Sequence, residues 1–194
     1  MKLSLPVCLV VSLVLFLYSI LSFDVSHARV TPSINGLYPA NAATPHAGEI
    51  TRIASNFGIP SLYAIIVLAH NENNAKYVFG LLCALFVQSA FVAGIKYETC
   101  TLRPNGNPNG YVSGHTCSAA TTCLYIITHM QMSSNPHVAS QFVLSLGLLA
   151  YMFWTGVERI LVNAHSLADI NGAIALAMVV VFICFCTVHR LKTH

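Results

Sequence analysis

Apolar and polar stretches alternate along this chain on the length scale of a lipid bilayer. A helix that crosses the hydrocarbon needs about 20 mostly apolar residues. Residues 5–22 form such a run behind Met1-Lys2. They are followed by Ser26-His27-Ala28, which reads as a signal-peptidase site, so residues 1–28 are either a cleaved signal or an uncleaved first anchor. Residues 29–58 are polar and rich in Pro, Gly, Asn and Thr, which predicts a segment outside the bilayer. Residues 59–70 are apolar but short, and extend back over residues 53–58 as an amphipathic or interfacial helix. A polar turn at 71–76 leads to a clear span at 77–95. Residues 96–114 are a loop dense in Pro, Gly and Asn. Residues 115–131 predict a semi-polar helix whose Thr, Ser and Ala suit a bundle interior. After a turn at 133–137, residues 138–157 span again, a break falls at 163–165, and residues 168–188 make the last span. The pattern predicts an all-α, integral-membrane helical bundle of five or six spans, with residues 29–194 as one membrane-embedded domain.

Composition supports the membrane reading. The chain is 56% hydrophobic and 8% charged, with a mean hydropathy of +0.69. A soluble domain carries about 25% charged residues. The net charge of +3 comes from scattered residues, and no basic stripe interleaved with aromatics points to nucleic acid. The seven cysteines show no CxxC spacing, which argues against a zinc site. Cys100 and Cys117 both flank polar segments, and an oxidising face would permit a disulfide between them.

Charge changes the picture, because it is grouped. The chain has fifteen Lys, Arg, Asp and Glu, and six of them (Lys96, Glu98, Arg103, Glu158, Arg159, Asp169) lie in or beside three clusters. The clusters are Lys96-x6-Arg103-Pro104, Ser113-Gly114-His115 and Arg159-x5-His165-x3-Asp169. Ionisable groups near a bilayer are costly and suggest function by default. Counting crossings from an inside N-terminus puts all three clusters on the outer face and the basic tail at 189–192 inside. Lys76 is also inside, as the positive-inside rule expects. Lys96, Arg103 and Arg159 break that rule, which suggests that they are retained for chemistry.

The residue types fit a phosphoryl group. Arg offers a planar fork matched to two phosphate oxygens, and Lys a point charge. Ser113 and Gly114 precede a helix whose first N–H groups lack intrahelical partners, and Gly lets an anion approach the backbone. The blander readings are snorkelling for Lys96 and a plain helix cap for Ser113. His165 and Asp169, four apart, meet on one helical turn. Asp169 can accept a proton from one imidazole nitrogen while the other keeps a lone pair for substrate, the arrangement of a histidine nucleophile. The blander reading of Asp169 is a carboxylate favoured by a helix dipole. Arg159 lies six before His165, so an unbroken helix would hold them on different faces. The model therefore requires the break near Asn163. The histidines at 27, 46, 70, 129, 137, 189 and 194 are scattered and read as interfacial or core residues.

These segments, KYETCTLRP (96–104), VSGH (112–115) and ERILVNAHSLAD (158–169), resemble the signature of the type 2 phosphatidic acid phosphatase superfamily. That signature is K-x6-RP, PSGH and SR-x5-H-x3-D, and the resemblance covers roughly residues 47–188. It implies that His165 attacks phosphorus to form a phosphohistidine, that Asp169 orients it, and that His115 serves as general acid and then base. It implies that Lys96, Arg103, Ser113, Gly114 and Arg159 bind the phosphoryl oxygens, with no metal or other cofactor. Two positions depart. Val112 stands for the usual Pro, whose loss is expected to loosen the loop entering Ser113. Glu158 stands for the usual Ser and would repel phosphate unless it turns away or pairs with a cation.

The reading that follows is a membrane phosphatase acting on a phosphorylated membrane lipid, a phosphate or diphosphate ester, at the outer face of a bacterial inner membrane. Two alternatives use the same residues: a phosphotransferase with another acceptor, and an impaired member that binds phospholipid without turnover. The vanadium haloperoxidases share the motifs but are soluble, which the spans argue against.

Overall fold

A computed structural model describes residues 53–70, 75–101, 103–104, 110–132 and 138–190. The predicted first span at 5–22 and its cleavage site lie outside these residues. Among the described residues the chain is helical and has no strand. A π-helical turn (Ala54–Gly58) runs into α1 (Ile59–His70). Then come α2 (Ala75–Thr99), α3 (Gly114–Met132), α4 (Val138–Leu161) and α5 (Leu167–Arg190). The fold is an all-α membrane bundle, as the hydropathy pattern predicts. Among the described residues, three helices, in α2, α4 and α5, are long and apolar enough to cross a bilayer.

The centre of the bundle is α3. It packs against α2, α4 and α5, and its middle is buried nearly all round. Its buried positions are mostly small: Thr116, Cys117, Ser118, Ala119, Ala120, Thr121, Thr122 and Cys123. Small side chains let neighbouring helices approach closely, and hydroxyls supply interhelical hydrogen bonds where lipid supplies none. Gln88 of α2, 2% exposed, donates to Ser118 Oγ at 3.1 Å. Thr122 Oγ1 donates to the Ser55 carbonyl at 3.0 Å, and Ser55 Oγ meets Tyr151 Oη at 2.8 Å. The π-turn is thereby pinned between α3 and α4. The large apolar side chains instead line the outside: Phe79, Phe86 and Phe91 on α2, and Phe142, Phe153 and Trp154 on α4 are exposed, as lipid-facing residues should be.

Away from the charged clusters, the bundle closes with an aromatic group. His129 accepts or donates a 2.8 Å hydrogen bond with Tyr63 and tilts over Tyr77, centroids 4.3 Å apart. Tyr77 stacks on Phe185, and Phe185 on His189. His129 and His189 are thus packing residues, in line with the bland reading of them. Cys100 and Cys117 are free thiols, and no disulfide joins them. Cys117 is wholly buried in α3 whereas Cys100 is exposed, so the two point to different environments.

Candidate active site

The three clusters sit where α2 and α4 end and where α3 and α5 begin, which is one end of the bundle. The span of α2 predicted to stop at residue 95 continues through Lys96 to Thr99, because Tyr97 and Glu98 extend the helix without strain. It ends at Cys100, which takes a left-handed φ of 46° while its N–H bonds to the Lys96 carbonyl at 3.2 Å. Lys96 is therefore held in the last helical turn. A Cβ placed at Gly114 would stand 4.0 Å from Lys96 Nζ and 3.6 Å from Val92, ordinary contact distances that put this ammonium beside the start of α3.

Thr101 closes the loop by accepting twice: its carbonyl from Gly110 N–H at 2.9 Å and its Oγ1 from Tyr111 N–H at 2.8 Å. Val112 follows, wholly buried within the hydrophobic core. Apolar burial of Val112 and the Thr101 clasp hold the entry to α3 where the family signature has a proline. Ser113 is the N-cap of that helix. Its carbonyl accepts from Cys117 N–H at 2.9 Å, and its Oγ accepts from Thr116 N–H at 3.4 Å. The cap reading of Ser113 therefore holds. Gly114 and His115 open the first turn, whose N–H groups have no acceptor inside their own helix. His115 is half-buried there.

The third cluster contains the required break. The helix α4 runs four residues past the predicted end at 157, so Glu158 and Arg159 are helical. Asn163 has a φ of 51°, a conformation Asn tolerates better than most residues. Ala164 N–H bonds to the Arg159 carbonyl at 3.0 Å, and Asn163 N–H to the Ile160 carbonyl at 2.9 Å. These are the paired bonds of a Schellman ending. The reversal brings His165 N–H to 3.2 Å from the same Arg159 carbonyl. Arg159 and His165, six apart in sequence, are thus neighbours. Both are buried, at 8% and 3% exposed.

At the start of α5 a reciprocal pair forms that the sequence reading missed. Ser166 N–H donates to Asp169 Oδ2 at 2.7 Å, and Asp169 N–H donates to Ser166 Oγ at 3.2 Å. This is a capping box with Asp at its third position, and Ser166-x-x-Asp169 is its visible signal. The dipole reading of Asp169 is therefore correct as far as it goes, but the same Oδ2 also faces His165 Nδ1 at 3.5 Å. That separation is long for a formed hydrogen bond. Within the described protein, His165 Nδ1 and Asp169 Oδ1 are buried without a hydrogen-bond partner. Catalytic contacts are often this loose before substrate binds.

Finally, the clusters touch. Ser113 N–H donates to the Asp169 carbonyl at 3.3 Å, which joins the second cluster to the third. Lys96 against Gly114 joins the first to the second. Arg103 is near enough for its charge to act on Lys96, Arg159 and His165. Burial pushes the His165 imidazole below the ordinary histidine range; Asp169 opposes this, and Arg103 and Lys96 add to it. A neutral imidazole with Asp169 behind it and cations around it is set up to receive an anion.

A family model described as the PAP2 superfamily matches residues 62–193, more than half of the chain and all three clusters. The chain belongs to the PAP2 superfamily. No curated protein and no solved structure matches it. PAP2 membership supports hydrolysis of phosphoric esters, and the apolar helices support membrane integration.

Proposed function

We propose that this PAP2 chain hydrolyses the phosphate or diphosphate ester of a membrane lipid through a phosphohistidine at His165. The contact of three distant segments around one neutral, carboxylate-backed imidazole is the observation that carries this reading. With Nδ1 turned to Asp169, Nε2 is the nitrogen left for attack. Its lone pair forms a bond to phosphorus as the bond from phosphorus to the leaving oxygen breaks. His115 gives its proton to that oxygen. The phosphorylated imidazole is cationic, and Asp169 stabilises it through Nδ1–H. Water then attacks phosphorus, His115 takes its proton, and the P–N bond breaks to release phosphate. Lys96, Arg103 and Arg159, with Ser113 and Gly114 at the start of α3, balance the charge that builds on the equatorial oxygens.

The site lies at the ends of apolar helices, near headgroup depth. A lipid can present its phosphate there while its tails stay in hydrocarbon, whereas a soluble ester gains nothing from that position. The crossing order and the inside basic tail favour the outer face of a bacterial inner membrane. Glu158 favours one second reading, binding of phosphorylated lipid without turnover. It is half-buried next to Arg159, and its charge reaches that guanidinium.

Phosphate release from purified protein separates the two. Phosphatidic acid, phosphatidylglycerol phosphate, polyprenyl diphosphate and lipid A phosphates are offered in detergent, beside His165→Ala. Turnover of at least one lipid by the wild type and none by the variant is expected. Binding without release by both would favour the second reading.

A further inference from the structure

We infer that Ser166 is a positioning residue of this site, acting through Asp169 on the nucleophile. The inference rests on the proposed roles of His165 and Asp169. Asp169 is gripped at three points. Its Oδ2 accepts from Ser166 N–H, its N–H donates to Ser166 Oγ, and its carbonyl accepts from Ser113 N–H. Two of the three grips come from Ser166, the residue directly after the nucleophile. The 2.7 Å bond holds the side chain's working oxygen, which His165 Nδ1 faces at 3.5 Å without a formed hydrogen bond.

The hydroxyl is what closes this box. Without Ser166 Oγ, Asp169 N–H loses its acceptor in a buried first turn, and Ser166 N–H keeps no reciprocal bond to hold its own direction. The backbone Ser166 N–H bond to Oδ2 survives that loss, but Asp169 is then held at two points rather than three, and Oδ2 is less firmly fixed opposite Nδ1. Ser166 does not reach the phosphoryl group in this account. Its effect falls on how often the imidazole is aligned, so kcat should suffer and substrate affinity should not. Partners that orient a metal-bound imidazole from behind are typically worth about 10–100-fold, and an effect at the low end of that range is expected for a residue that acts through Asp169.

The test uses the full chain in detergent micelles with a lipid phosphate that the wild type turns over. Ser166→Ala is expected to lower kcat per folded molecule roughly tenfold, with KM kept within about twofold. Ser166→Thr, which keeps the hydroxyl, should restore most of the rate. Should the alanine variant not fold, Ser166→Gly serves, because a helix cap tolerates Gly well while the same hydroxyl is removed. Wild-type kcat in the alanine or glycine variant would overturn the inference, as would a loss that Thr does not rescue. His165→Ala is run beside them. If it is inactive while Ser166→Ala is normal, only the positioning role fails. If it is active, the nucleophile assignment fails and takes this inference with it.

Discussion

In the proposed mechanism, catalysis depends on how one imidazole is kept neutral and aimed. Burial is the largest influence on His165 and lowers its proton affinity; the Asp169 carboxylate raises it, and Arg103 and Lys96 lower it again. Protonation would consume the attacking lone pair. The acid limb of kcat/KM, which reports the free enzyme, should therefore lie below the ordinary histidine value of about 6.5. Asp169→Asn removes the opposing charge, so the limb should move to still lower pH while kcat drops by a hundredfold or more, on the order of other orienting carboxylates. A pH–rate series on both proteins checks this, and a limb that moves upward would contradict it. The depressed pKa also acts on stability. The unfolded chain takes the proton first, so stability present above about 6.5 is lost as pH falls through the folded value. Residue identity was the most legible level of this protein. Lys96, Arg103, His165 and Asp169 stand out because charge is rare in an apolar chain. Ser166 does not, because serine is common near helix starts.

Among the elements, two features connect sequence to site geometry. The first is the α4 ending. The need for a break was readable from the six-residue offset between Arg159 and His165, and Asn163 is the residue that supplies it. The specific bonds were not readable, since they depend on both helices being docked. Asn163→Gly should be tolerated, because Gly reaches positive φ without penalty. Asn163→Val should cost about 1–2 kcal/mol and lower kcat by separating Arg159 from His165. Thermal inactivation and initial rates measure the two effects. The second feature is close helix approach. A methyl at Gly80 would collide with Tyr125 Oη and come within 2.7 Å of Val188 Cγ2. Gly80→Ala should destabilise by about 1–3 kcal/mol through overpacking. Gly94→Ala, which meets nothing within 4 Å, should not lower the midpoint of the same thermal scan. Neither glycine announced its role in the sequence. A glycine in an apolar helix shows its partner only once the bundle is assembled. The burial of Val112 was hidden for the same reason, and the π-turn at 54–58 follows no periodicity that sequence displays.

For the whole molecule, hydropathy gave the all-α bundle and the order of its described helices, because bilayer thickness imposes element length. The semi-polar composition of α3 pointed correctly to the interior, since a helix rich in Thr and Ser has no stable place against lipid. What remains is sidedness. In the proposed topology Cys100 lies on the outer face, and it is exposed, whereas Cys117 is buried. In intact cells, a membrane-impermeant maleimide should label a variant whose sole cysteine is Cys100. It should not label one whose sole cysteine is Cys117. Labelling at Cys100 only after the cells are opened would reverse the assigned orientation. The central claim is settled more directly by the intermediate itself. Wild-type protein mixed with a lipid phosphate it turns over and quenched within one turnover should carry an acid-labile phosphoryl group on His165, found by mass spectrometry and missing from His165→Ala. Phosphate release at the wild-type rate with no phosphoryl group on that imidazole would contradict the account.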